Sequence, residues 1–199
     1  MKSRIGIIAL SLALLFSAGL GAVPYYDSGS QMFSINAGAV VPLSLTNFET
    51  NKTTWGPGED GTHMSIGGIG AISYQVFLNS AFALGGEIGY QFNFAMDNEV
   101  FSSVPILLKM TFMPVQGNID VPISFGVGFN YLSYDSYSKF TFMANMEIGA
   151  RYFFNDNWGL GIHSGISFIP EPYINEKDNV NKSSILTVIP ATLSVTYRH

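Results

Sequence analysis

Charge is scarce in the interior of this sequence, and four charged side chains stand out: Glu87, Lys109, Glu147 and Arg151. Two acids and two bases can neutralise one another as ion pairs, or line a narrow path for ions. One imidazole, His163, joins them and could act as general base, metal ligand or hydrogen-bonded filler. Nucleophilic catalysis needs a hydroxyl or thiol within reach of its base. The neighbouring pair His163-Ser164 offers both types, but adjacent residues of a strand point to opposite faces. The sequence holds no Gly-x-Ser-x-Gly elbow and no cysteine, which removes thiolate catalysis, disulfides and Cys-ligated metals. His63 with Glu59 and Asp60 could hold a metal, yet the polar, Gly-rich stretch around them reads as a solvated loop. No catalytic residue, metal or cofactor is expected, and the chain is not expected to be an enzyme.

The elements that position the four charges follow from parity. From Phe82 to Phe94, Phe82, Leu84, Gly86, Ile88, Tyr90, Phe92 and Phe94 share one face. Ala83, Gly85, Glu87, Gly89, Gln91 and Asn93 share the other. A period of two is that of a strand with one apolar and one small or polar face. Val121–Tyr131 and Phe142–Phe154 repeat the pattern, with Glu147 and Arg151 on the polar parity of the latter. Weaker versions run through Phe33–Leu45, Met64–Val76, Ile106–Phe112, Trp158–Phe168 and Ile185–Tyr197. Lys109 stands opposite to Ile106, Leu108, Met110 and Phe112. Glu87 and Lys109 fall near mid-depth of neighbouring strands, where a direct pair is expected. Arg151 shares a face with Glu147 and can also reach towards His163.

Eight segments of about ten residues match the length a tilted strand needs to cross a bilayer. Short links at Leu78-Asn79-Ser80, Pro114–Asn118 and Asn155-Asp156-Asn157 alternate with four longer loops at about 47–63, 96–103, 132–139 and 170–184. The expected fold is therefore all-β: an eight-stranded antiparallel up-and-down transmembrane β-barrel. A soluble sandwich or lipocalin-like barrel would carry many Lys and Glu on its outer face. Here the second face is built of Gly, Ala, Ser, Asn and Gln. Large side chains facing lipid and small ones filling a narrow lumen account for both faces. Pro42, Pro105, Pro122 and Pro190 take the inward parity and must interrupt ladder bonding. Pro105 and Pro122 are expected at strand starts, while Pro42 and Pro190 mark bulges or the end of regular pairing. Outward aromatics cluster on the short-turn side at Phe82, Phe112, Tyr152, Phe154, Trp158 and Tyr197. Phe92, Phe94, Tyr131, Phe142 and Phe168 gather towards the long loops, as two interfacial belts would.

Composition fits that placement. The 199 residues include 47% hydrophobic but only 12% charged residues, about half the usual charged share. Mean hydropathy is +0.26, yet no stretch has the 18 uninterrupted apolar residues of a membrane helix. Lys2 and Arg4 followed by apolar Ile5–Phe16 and small residues to Ala22 read as a secretory signal peptide over 1–22, cleaved on export. Residues 23–199 would then form the barrel. The net charge of −5 and the acidic loops exclude nucleic acid as a partner.

With these residues in view, the chain resembles the small bacterial outer-membrane barrels: the OmpA transmembrane domain, OmpX and OmpW. The resemblance covers the signal peptide and the whole mature chain, and rests on pattern. It implies an interior ion cluster, for which Glu87, Lys109, Glu147 and Arg151 are the counterpart, with His163 as a further lumen polar group. It also implies a terminal assembly signal, Leu193, Val195 and Tyr197, read by the barrel-insertion machinery. Arg198 and His199 follow Tyr197 where the family usually ends on an aromatic, a departure that would suit a more distant diderm such as a spirochaete. The expected protein is a monomeric, surface-exposed outer-membrane barrel with a packed polar lumen. It would sit among outer-membrane lipids and meet a host or environmental ligand through its loops. The alternatives are a narrow OmpW-like channel for small or hydrophobic solutes and, further off, a lipid-modifying enzyme.

Overall fold

A computed structural model describes residues 25–48, 50–95, 99–134, 137–174 and 181–199. The expected signal peptide, 1–22, and parts of the expected longer loops lie outside these residues. The described residues form nine strands: β1 (Gln31–Asn47), β2 (Lys52–Trp55), β3 (Gly67–Phe77), β4 (Phe82–Phe94), β5 (Val100–Val115), β6 (Ile119–Tyr134), β7 (Tyr137–Phe153), β8 (Trp158–Ile174) and β9 (Asn181–Arg198). All pairings are antiparallel. β1, β3 and then each successive strand to β9 pair in chain order, and β9 returns to β1 from Met32↔Arg198 to Asn47↔Ser184. Eight strands thus close a barrel, so no edge of the main wall is left open. β2 extends the wall above the end of β3, paired to β1 from Ser44↔Trp55 to Asn47↔Lys52.

The strands run further than their alternation cores. β6 and β7 stay paired up to Tyr134↔Tyr137, and β8 and β9 up to Ile174↔Asn181. Much of the ranges 96–103, 132–139 and 170–184 is therefore strand rather than loop, and the first loop carries β2. The physical reason lies in the residues: Phe101, Leu132, Ile169 and Leu186 continue the inward parity, and all are buried. β-branched and aromatic residues next to them favour the same extended backbone.

The prolines correct the expected strand starts. β5 begins at Val100 and β6 at Ile119, so Pro105 and Pro122 lie inside strands. Each interrupts its ladder, because a proline nitrogen has no hydrogen to donate. Continuing the register places Pro105 opposite Gly89, Pro122 opposite Gly149 and Pro190 opposite Gly165. A side chain at Gly89 would meet the Pro105 ring. Pro42 sits at the β1 irregularity, where the pairing with β9 shifts between Pro42 and Ser44.

The interior is not polar throughout. Val40, Phe101, Leu107, Leu132, Met143, Ile169, Leu186 and Val188 form an apolar cluster in the half nearer the long loops. Tyr26, Met32, Phe77, Ala83 and Met113 form a second at the short-turn end. Polar and charged side chains lie between and also interleave with both clusters, as Gln91, Asn93, Ser103 and Asn130 do in the loop half and Asp120 and Arg198 at the short-turn end, so the lumen is polar with two apolar clusters set in it.

Candidate functional site

The middle layer is built on inward positions whose neighbours are small. Lys109 on β5 stands in register with Gly85 on β4 and Gly126 on β6. The lysine reaches across β6 as well as back to β4, and the Asn145 amide that supports Glu147 lies where a side chain at Gly126 would stand. Its Nζ lies 2.6 Å from Glu87 Oε2 and 2.7 Å from Glu147 Oε2. The three side chains are 6%, 7% and 15% exposed, so the group is largely shielded from water. One ammonium holding two carboxylates leaves a local excess of one negative charge. Asn145 Nδ2 donates to Glu147 Oε1 at 3.3 Å and spreads part of it. Gln75, Thr111 and Ser124 continue the network below, with contacts of 2.8 Å on either side of the Thr111 hydroxyl.

Arg151 occupies the same lumen but joins a different set. Its Nε donates to His163 Nε2 at 3.3 Å, and its Nη1 reaches Met32 Sδ at 2.7 Å. His163 Nε2 also meets Ser194 Oγ at 3.0 Å. Accepting from arginine fixes Nε2 as the unprotonated nitrogen, so the imidazole is neutral there. Its ring lies where a side chain at Gly149 would stand. Among the four predicted charges, the structure brings together Glu87, Lys109 and Glu147, and sets Arg151 beside His163. Ser164 faces outward and donates to the Pro190 carbonyl at 3.1 Å. The adjacent pair therefore points apart, as strand geometry requires.

Parity also covers a group that the sequence reading passed over. Arg198 continues the inward series Ser194, Thr196, and Asp120 precedes Pro122 on the inward side of β6. These two meet Tyr26, which lies before β1. The Tyr26 hydroxyl donates to Asp120 Oδ2 and accepts from Arg198 Nη1 at 3.2 Å. Arg198 also donates to the carbonyls of Asp156 and Gly117, each at 2.8 Å. Its guanidinium is stacked between Tyr25 and Phe153, 3.7 and 3.6 Å from their ring centroids. Tyr26 stacks on Phe77 at 4.0 Å. Gln116 Oε1 accepts from the backbone N–H groups of Tyr25 and Tyr26. The segment Tyr25–Asp27 thereby forms a floor across the short-turn end. Burial, reinforced by the Asp120 carboxylate, pushes the Tyr26 phenol well above its ordinary pKa.

On the outer wall, Phe82 packs on Phe112 and Trp158 on Tyr197, each pair 5.0 Å apart between centroids. Tyr152 and Phe154 are exposed on the same side, as are Leu193 and Val195 of the predicted assembly signal. Among the described residues no cluster of His, Asp and Glu could hold a metal ion. His63, with its left-handed backbone (φ 57°), ends the turn that precedes Met64.

A protein-family model matches residues 21–197 of the chain. An uncharacterized protein of Treponema pallidum (strain Nichols) is 30% identical over 97 residues, which is 48% of this chain and 44% of that protein. An uncharacterized protein of Borreliella burgdorferi is 27% identical over 122 residues, 50% of this chain and 58% of that one. The chain thus spans about half the length of the curated relatives it matches. Among solved structures, Neisserial surface protein A superimposes with a TM-score of 0.60 at 13% identity, covering 86% of this chain and 98% of that one. That likeness is one of fold.

Proposed function

We infer, from the premise that the chain belongs to the family whose model covers residues 21–197 and takes the closed eight-stranded fold seen in small outer-membrane barrels, that it is an integral outer-membrane protein with a sealed interior. Its role is structural or one of surface recognition through the long-loop rim. The observation that carries the inference is the filling of the lumen. An apolar cluster packs in the loop half beside buried polar groups, and the Tyr26–Asp120–Arg198 floor lies across the short-turn end. The three side chains of the ion group between them are at most 15% exposed. The outward face supports the bilayer placement: Ile88, Leu108, Phe129, Ile162 and Leu193 are exposed along strand middles, where a soluble surface would carry charge.

The rim supports recognition. Phe48 and Trp55 are 54% and 67% exposed in the hairpin that β2 adds above the barrel. Trp55 on the paired strand and Phe48 in the turn after β1 form a contact surface of the kind that binding sites favour. A ligand there would be met by apolar stacking in an otherwise acidic setting. Export would use the N-terminal signal, and insertion the barrel machinery reading Leu193, Val195 and Tyr197.

One observation favours a second reading, a narrow channel. Gln91 Oε1, Ser103 Oγ, both amide atoms of Asn130 and Asn145 Oδ1 are buried without a protein partner among the described residues. A file of such groups is where a rearranged lumen would admit water. Planar-bilayer recording decides between the two. The sealed barrel gives no reproducible steps; single-channel steps altered by Glu87→Ala or Lys109→Ala would overturn it. Proteolysis of intact cells tests the orientation, with cleavage expected in the long loops and none at the short turns.

A further inference from the structure

The outward wall is not evenly ridged. Across β7, β8 and β9, the small side chains of Ala150, Ser164 and Ala191 floor a hollow of about 500 Å³. Ile148, Ile162 and Leu193 stand around it, each more than half exposed. The register produces this relief. Ser164 lies in a row with Ile148 and Ala191, and Ile162 in the next row with Ala150 and Leu193. Small residues of one row therefore sit beside tall residues of the other. The hydroxyl on the floor is already spent on the Pro190 carbonyl, at the point where Pro190 interrupts the β8–β9 ladder. The hollow thus asks its occupant for apolar contact and no hydrogen bond.

We propose that this hollow is a binding site for one lipid acyl chain, held as a bound lipid rather than as part of the mobile surround. The site rests on the membrane reading above. Its position names the occupant: it lies along the strands between Trp158, Tyr152 and Tyr197 on one side and Phe142 and Phe168 on the other. Hydrocarbon is what a bilayer presents between two aromatic belts. A chain lying in a concave floor touches wall on several sides, and its dispersion contacts exceed those it makes on a flat ridge. The acyl chain also covers the interrupted ladder at Pro190, whose carbonyl accepts the Ser164 hydroxyl.

The test uses the full chain purified from membranes in detergent, with vesicles of phosphatidylethanolamine and phosphatidylglycerol as the lipid source. Native mass spectrometry counts the lipids that survive detergent exchange. Wild type is expected to keep one phospholipid, and Ala150→Leu with Ala191→Leu, which fill the floor and leave the Ser164–Pro190 bond intact, to lose about tenfold in occupancy. Should the double variant fail to assemble on heat-modifiability gels, Ala191→Leu alone serves in its place. Equal retention in wild type and variant overturns the site. So does a dimer trapped by Leu193→Cys and abolished by the filling substitutions, which would make the occupant a second copy. Failure of the membrane reading has a separate signature, release of the protein without detergent.

Discussion

Lys109 holds Glu87 and Glu147 together, so the three side chains cannot be altered one at a time without leaving charge behind. Removing the ammonium leaves two carboxylates facing each other in a shielded layer, a change that typically costs about 3–5 kcal/mol. Lys109→Met is therefore expected to lower the urea midpoint of the reconstituted barrel sharply, while Glu87→Gln in the same background restores part of it. A variant as stable as wild type would mean that water reaches the group. Tyr26 gives a prediction with a pH axis. Its phenol is pushed above the ordinary value of about 10. A raised folded pKa contributes stability that is complete below the unfolded pKa and is lost as pH rises through the folded one. The floor should thus be pH-independent near neutrality and weaken in alkali above about pH 10. Tyr26→Phe should remove that part of the alkaline loss, as followed by proteolysis near residue 25 between pH 8 and 12. The sequence carried the Glu87–Lys109 pair plainly, because parity and depth were both readable. It hid Lys109–Glu147, since a contact between strands that are not neighbours depends on how the barrel closes, which parity along a single strand does not carry. Arg151 shares a face with Glu147 and is expected to reach towards His163 on the next strand, and its Nε does donate to that imidazole.

At the scale of strands, alternation revealed all eight wall segments and misjudged their ends. Extended hairpins keep their backbone bonds after the lipid-facing pattern fades, so hydrophobic periodicity underreports them. The prolines show the opposite case: their presence was legible, and their consequence needed the register. Pro105, Pro122 and Pro190 each face a glycine on the adjoining strand. A missing donor weakens the ladder there, and the absent side chain lets the backbone adjust. Inward glycines at such positions should tolerate nothing larger. Gly149→Val, which would drive a side chain into the His163 ring, is expected to cost about 1–3 kcal/mol and to reduce the assembled band on unheated gels. Gly70→Ala, whose added carbon meets only one atom at 4.0 Å, should stay within about 0.5 kcal/mol of wild type. Gly70 faces outward, so equal effects at the two sites would show that the space at inward Gly149 can yield.

At the scale of the molecule, the hydrophobic surplus sorts by direction. Large side chains cover the outside, and the scarce interior charges sit in one layer and one floor. Depth should therefore govern the cost of a new charge. Ile88→Arg, near the middle of β4, is expected to cost about 2–4 kcal/mol of folding free energy in lipid vesicles. The same substitution at Trp55 on the rim should be close to neutral, and a reversed order would contradict the bilayer placement. The floor has a consequence of a different kind. Tyr26 and Arg198 touch across 172 positions of sequence, and the contact joins the entry to β1 with the end of β9. Every other strand pair can form between neighbours in the chain. This one cannot exist until the first and last strands have found each other. The clasp therefore works as a completion mark: it separates a finished barrel from one still open at its seam, and a protease that cuts after Tyr25 would read that difference as time.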